Sequence, residues 1–185
     1  MQGDSGLECK FAGFGTGLNI SDGAVIEGHA SLFGVPDQSG DVVQRGAYGA
    51  SLAALAAQGR KVRMLWQHDP LQPIGVWDEV REDGRGLWVR GRILAATQAG
   101  REAAALVAAG AIDGLSIGYR TLRATRNEKG QRLLAELELW EVSLVTFPML
   151  RSARVAAKGQ ESEGKGALRE LAVLFDEARQ ALARG

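Results

Sequence analysis

The chain has 185 residues, enough for one domain of ordinary size with short extensions, and its 45% of hydrophobic residues can form a core without disulfide bonds. Its 22 basic and 22 acidic residues balance, which argues against a nucleic-acid-binding protein, and its single cysteine, Cys9, excludes an intrachain disulfide and fits a reducing compartment. No apolar run approaches the roughly 20 residues that span a bilayer, and no secretory signal begins the chain, so we expect a soluble, intracellular protein without a membrane partner.

The first part of the chain alternates strand patterns with turns. In chain order it predicts strands over 7–12 and 24–33, a loop over 34–41, a helix over 48–58 and a strand over 61–66. The last of these strands places His68 just beyond its end. Pro70 and Pro73 are expected to stop regular strand pairing there.

The second part predicts a hairpin, a helix and two longer strands. These are strands over 74–80 and 87–94 around a turn at 81–86, a helix from the N-cap Thr97 to Ala109, and strands over 115–122 and 133–147. Strands outnumber helices and no regular βαβ alternation occurs. We therefore predict a mainly β fold with packed helices (α+β), a small antiparallel β-barrel covered by helices.

The composition changes after Val155, which predicts three regions. Residues 1–155 form the main domain, the small and polar residues 156–166 form a linker, and residues 167–185 form an amphipathic helix. The helix carries an apolar seam at Leu168, Leu171, Phe175, Ala178 and Leu182. It either docks on its own domain or binds a partner, and the linker before it favours a partner.

Histidine is scarce, and this limits the possible chemistry. Only His29 and His68 are present, so a site with several histidine ligands is excluded, and neither HExxH nor CxxC occurs. We expect no metal and no cofactor. His68 lies at the start of a loop with two prolines, just after a strand ends, and this is a suitable position for a general base. The alternative is a structural histidine that caps the strand.

Two other side chains complete a possible catalytic group. Ser116 lies on one face of its strand between Gly114 and Gly118, which leave room for a substrate backbone. Alternation along the last strand places Glu141 on one face with Leu139 and Ser143. A nucleophile, a base and an orienting carboxylate are thus available. The alternatives are a serine and a glutamate on solvent-facing strand positions.

Several segments resemble, in the right order, the HK97-type prohead protease family, the serine proteases that mature phage capsids. The resemblance extends from about Leu7 to Val155, and the chain is also similar to the homologous protease of gene transfer agents. The matching segments are 27–34 (EGHASLFG), 40–43 (GDVV), 64–70 (MLWQHDP), 73–75 (PIG), 114–119 (GLSIGY) and 140–148 (WEVSLVTFP).

The resemblance implies a fold like that of herpesvirus assemblin, a β-barrel surrounded by helices. It implies a serine endopeptidase that works inside the procapsid, in the cytoplasm of the host or producer cell. Its partner would be the major capsid protein, whose scaffolding segment it cleaves, and it often cleaves itself. The family motifs place the catalytic residues at His68, Ser116 and Glu141. The oxyanion would be met by the N–H groups of Ile117 or Gly118, with Arg151 as a further candidate.

Three questions remain open at this point. The chain is alternatively a capsid assembly protein that kept the fold and lost catalysis, or a thiol hydrolase that uses Cys9 with His29 or His68. His29 stands where the family often has an aromatic residue, and it is either a third polar group near the site or structural. The predicted helix over 167–185 contacts the capsid protein or a second copy of the protease.

Overall fold

The structure, a computed structural model, describes residues 8–12, 19–21, 25–37 and 39–146, the first two ranges by their backbone alone. The predicted linker over 156–166, the predicted helix over 167–185 and Arg151 lie outside the described residues. The three-region division of the chain therefore stays a prediction.

The described residues form nine strands and two helices. The strands are β1 (Glu8–Ala12), β2 (Asn19–Ser21), β3 (Val25–Leu32), β4 (Asp41–Val43), β5 (Arg63–Trp66), β6 (Asp69–Glu82), β7 (Gly86–Ile93), β8 (Gly114–Arg126) and β9 (Arg132–Val145). The helices are α1 (Gly49–Ala57) and α2 (Gln98–Ala108), the second capped by the Thr97 side chain as predicted.

All nine strands belong to one mixed sheet. The order is β1-β8-β9-β5-β6-β7-β3-β2, with β4 paired to β9 off this path. Strands β1 and β8 also approach β3, which lies near the other end of the order, so the sheet curls back towards itself. The mainly β character is confirmed. A purely antiparallel barrel surrounded by helices is not confirmed, because β4 and β5 pair with β9 in parallel and the described part of the chain contains two helices.

Two short strands and one long one differ from the prediction. Strands β2 and β4 were not predicted, because three residues are too few to show the alternation of a strand. Strand β2 pairs with the neighbouring β3, and β4 pairs with the distant β9. Strand β6 begins at Asp69 and includes both prolines. Register shifts on either side of Leu65 accommodate this, and Leu65 pairs with Pro73 while Trp66 pairs with Asp69.

A β-bulge in β9 changes which residues share a face. Gly118 pairs with Glu141, but the next residue of β8, Tyr119, pairs with Leu139, so Trp140 is the extra residue. Leu139 therefore shares a face with Tyr119, whereas simple alternation predicted that it shares a face with Glu141. The Leu139 side chain is buried. Trp140 is exposed.

The buried side chain of Trp77 links β6 to β5 and β9. Its indole Nε1 donates to the carbonyl oxygens of Arg63 in β5 and Val142 in β9, each at 3.2 Å. Trp77 is among the largest fully enclosed side chains of the core. One indole N–H thus contacts the backbone of β5 and the backbone of β9, and these contacts stabilise the pairing of the two strands.

Replacing Trp77→Phe should lower the free energy of unfolding by about 1–3 kcal/mol, because it removes both hydrogen bonds and leaves a gap in a packed core. Urea denaturation followed by circular dichroism measures this. The matched control is Trp140→Phe at an exposed position, which should change stability by no more than about 0.5 kcal/mol. Equal effects of the two changes would contradict the role given to Trp77.

Candidate active site

A strained two-residue turn carries His68. Trp66 and Asp69 pair across β5 and β6, so Gln67 and His68 form the connection, with φ of 52° and 62°. Positive φ at both positions is the requirement of a type I′ turn, which normally takes Asn-Gly. For residues with a Cβ this conformation costs about 1–2 kcal/mol each. The surrounding structure must hold the turn in place.

Hydrogen bonds to the end of β9 hold the turn. The Gln67 backbone N–H donates to the carbonyl of Leu144 at 3.0 Å, and its side-chain amide donates to Thr146 Oγ1 at 2.7 Å. The His68 backbone N–H donates to Ser143 Oγ at 3.2 Å. The backbone from which the imidazole projects is thus attached to three residues at and just beyond the end of β9: Ser143, Leu144 and Thr146.

The imidazole of His68 meets the carboxylate of Glu141. His68 Nδ1 lies 2.5 Å from Glu141 Oε1, and the two side chains are 16% and 5% exposed. Because a carboxylate accepts this bond, we assign the proton to Nδ1, which leaves Nε2 as the acceptor nitrogen of a neutral ring. Ser143 Oγ donates to the other oxygen, Oε2, at 2.5 Å. Both carboxylate oxygens therefore have partners, which offsets the cost of burying the charge.

Ser116 lies on the same face of the sheet as this pair. It is directly opposite Ser143 in the β8–β9 ladder, and Gly118 is directly opposite Glu141. Side chains of opposed residues in an antiparallel pair project from the same face, with Cβ atoms about 5 Å apart. Ser116 is fully buried. The register therefore gathers Ser116, Ser143 and Glu141 in one place, next to the turn with His68.

Gly118 is required by the carboxylate. A Cβ at this position would lie 2.2 Å from Glu141 Oε1, so the absence of a side chain makes room for Glu141. The space beside Gly118, which the sequence pattern assigns to a substrate backbone, thus holds the Glu141 carboxylate. Ile117 and Gly118 also lie in a strand that is paired with β1 on one side and β9 on the other. Their N–H groups consequently point towards neighbouring strands.

His29 belongs to a different part of the sheet. Its Nε2 lies 2.7 Å from Asp83 Oδ2 in the β6–β7 turn, and its ring packs edge-on against Trp88. Burial raises the pKa of Asp83, but the N–H groups of Arg85 and Gly86 together with His29 outweigh it and lower this pKa to about 2. These contacts support the structural alternative for His29.

Ser143 is the member of the site that sequence reasoning missed. The alternation of the strand places Ser143 on the same face as Glu141. It does not indicate that the Ser143 hydroxyl contacts the turn with His68 as well as the carboxylate of Glu141. Arg151 and the side chain of Cys9 lie outside the described residues. Within the described ranges, no three His, Cys, Asp or Glu residues are grouped to hold a metal ion, and no helix has the length and apolarity to cross a membrane.

The chain is similar to two phage proteases of capsid assembly. It is 33% identical over 153 residues to the prohead protease of Enterobacteria phage HK97, a match that covers 81% of this chain and 64% of that protein. The chain thus spans slightly less than two thirds of this relative. The bacteriophage T4 capsid assembly protease superposes with a TM-score of 0.62 at 18% identity, covering 77% of this chain and 98% of the other. That likeness establishes a shared fold.

The likeness to the varicella-zoster virus protease is weaker, with a TM-score of 0.41 at 11% identity over 71% of this chain and 62% of the other. The herpesvirus-like description of the fold therefore stays a prediction. The family model described as "Caudovirus prohead serine protease" matches residues 16–166, which include all the strands and helices from β2 to β9. The chain belongs to the caudovirus prohead serine protease family.

Proposed function

We propose that the chain is a serine endopeptidase in which Ser116 is the nucleophile, His68 the general base and Glu141 the carboxylate that orients the base. The observation that carries the proposal is the 2.5 Å contact between His68 Nδ1 and Glu141 Oε1, made beside the strand pair that contains Ser116. Nucleophile, base and orienting acid are the three roles that peptide hydrolysis through an acyl-enzyme requires.

The proposed reaction has two halves. Ser116 Oγ attacks the scissile carbonyl while His68 Nε2 takes its proton, and the tetrahedral intermediate collapses when His68 returns that proton to the leaving amine. Water then attacks the acyl-enzyme with the same base, and the proton goes back to Ser116 Oγ. Glu141 stabilises the imidazolium that forms in each half.

The oxyanion donors are proposed among Ile117, Gly118 and Arg151. The first two lie within β8, where pairing on both flanks engages the backbone, so a donor from this strand would have to leave its ladder partner. Removing an oxyanion donor typically lowers kcat about 100- to 1000-fold. Arg151→Ala is therefore the first variant with which to identify the donor.

The burial of Ser116 sets a condition on this mechanism. Its side chain is fully enclosed, and β1 pairs with β8 alongside it, with Phe11 opposite Ser116. A peptide bond reaches the hydroxyl only after a neighbouring segment moves. We therefore infer that the substrate binds to a conformation in which the Ser116 hydroxyl is accessible.

The proposed substrate is the scaffolding segment of the major capsid protein, and the chain itself is a second substrate. Family membership supports this, as do the names of the relatives, a prohead protease in HK97 and a capsid assembly protease in T4. The proposed place of action is the interior of the procapsid, in a phage host or a cell that produces gene transfer agents. Self-association through residues 167–185 stays a prediction.

Two other functions are distinguishable from this one. A capsid assembly protein without catalysis would not need a buried imidazole–carboxylate pair, which is costly to place in a protein interior. A thiol hydrolase would use Cys9, whose backbone lies opposite Gly118, one strand away from Ser116. Inactivation by iodoacetamide but not by a fluorophosphonate would favour the thiol hydrolase, whereas the proposal predicts the reverse.

Ser116→Ala should leave a folded protein that cleaves no capsid protein, because the attacking oxygen is gone. N-terminal sequencing of capsid protein co-expressed with each variant measures this. Ser51→Ala is the matched control, since Ser51 is also a buried serine but its hydroxyl bonds to the backbone of Leu139. Cleavage by purified Ser116→Ala would contradict the assignment of the nucleophile.

Gly118→Ala should lower kcat by at least about 100-fold, because the new methyl group displaces the Glu141 carboxylate and misaligns His68. Gly49→Ala is the control: a Cβ there meets no atom within 4 Å, and alanine favours the helix that begins at this residue. Steady-state cleavage of a capsid-derived peptide compares the two. Full activity of Gly118→Ala would exclude the proposed role of Glu141.

A further inference from the structure

We propose that Ser143 is a positioning residue of this protease, which holds His68 and Glu141 in their relative orientation without touching the substrate. The inference rests on the proposed function, since it assigns Ser143 to the reaction that His68 and Glu141 would carry out. It adds a fourth residue to the three that the motifs indicated.

One hydroxyl connects the base and the carboxylate. Ser143 Oγ accepts from the backbone N–H of His68 at 3.2 Å and donates to Glu141 Oε2 at 2.5 Å. The residue is fully buried, so water does not readily replace these bonds. Through Ser143, the backbone of the turn and the far side of the carboxylate are fixed to the same atom, while Glu141 Oε1 faces the ring of His68.

The consequence of losing this hydroxyl follows from the strain in the turn. His68 has a φ of 62°, and its backbone N–H would lose its bond to Ser143. Glu141 Oε2 would at the same time lose its donor and become free to rotate away from the imidazole. The two bonds of Gln67 to Leu144 and Thr146 would remain, so the turn itself should persist. The expected damage is therefore to alignment rather than to folding.

The same contacts argue against Ser143 as the nucleophile. A serine hydroxyl has one proton, and in Ser143 this proton is directed to Glu141 rather than to an imidazole nitrogen. A nucleophilic serine must instead direct its proton to the base. Ser116, on the adjacent strand, keeps the role of nucleophile in the proposal.

The experiment compares Ser143→Ala with Ser51→Ala. Ser51 is the matched control because its buried hydroxyl also accepts from a backbone N–H of β9, that of Leu139 at 2.9 Å. A purely structural serine at 143 would resemble this control. Ser143→Cys is the second variant, since cysteine is readily buried and retains a weak donor. It keeps the test open should the alanine variant fail to fold.

We expect Ser143→Ala to lower kcat about 100-fold with KM nearly unchanged, because the residue aligns the base without binding substrate. Ser143→Cys should retain an intermediate kcat. Ser51→Ala should keep the kcat of the wild type even if its thermal stability falls as much as that of Ser143→Ala. Equal kcat values for Ser143→Ala and Ser51→Ala would overturn the inference.

Nuclear magnetic resonance of ring-labelled histidine gives a readout that does not depend on cleavage. The chain contains only two histidines, so the spectrum is readily assigned, and His29 serves as the internal reference because it bonds to Asp83. The downfield N–H proton of the His68–Glu141 bond should be present in the wild type and Ser51→Ala and be lost or shifted in Ser143→Ala. An unchanged His68 signal would refute the positioning role, and absence of cleavage by the wild type would instead refute the proposed function.

Discussion

The site depends on holding His68 in a backbone conformation that its own side chain disfavours. The turn of Gln67 and His68 has positive φ at both residues, where glycine and asparagine are the usual occupants. The bonds from this turn to Ser143, Leu144 and Thr146 supply the opposing stabilisation. Strain of this kind is found where a fold positions reactive groups, and here it aims the imidazole at a buried carboxylate.

Strand β9 makes this arrangement possible because it is shared by both halves of the site. On one side it pairs in parallel with β5, which ends at the turn, and on the other it pairs antiparallel with β8, which carries Ser116. A bulge at Trp140 precedes Glu141 and breaks the simple alternation of the strand. Bulges beside active sites commonly re-aim a side chain, and this one separates the core-facing Leu139 from the site-facing Glu141 and Ser143.

The sequence alone indicates three residues of the candidate site, and the contacts that it does not indicate depend on the tertiary structure. The scarcity of histidine and the family motifs indicated His68, Ser116 and Glu141, and period-two alternation correctly separated Ser116 from Leu115 and Ile117. The β5–β6 hairpin was missed because Gln-His lacks the usual turn residues and prolines follow it. The roles of Gly118 and Ser143 were missed because each depends on an atom of a residue on a neighbouring strand or in the turn.

The most direct test of the account is a crystal structure of the chain after reaction with a peptidyl phosphonate that matches a capsid cleavage site. The account predicts phosphorus bonded to Ser116 Oγ, His68 Nε2 within hydrogen-bonding distance of the adduct, and Nδ1 still bonded to Glu141. An adduct on Ser143 or Cys9, or an imidazole turned away from Glu141, would contradict it.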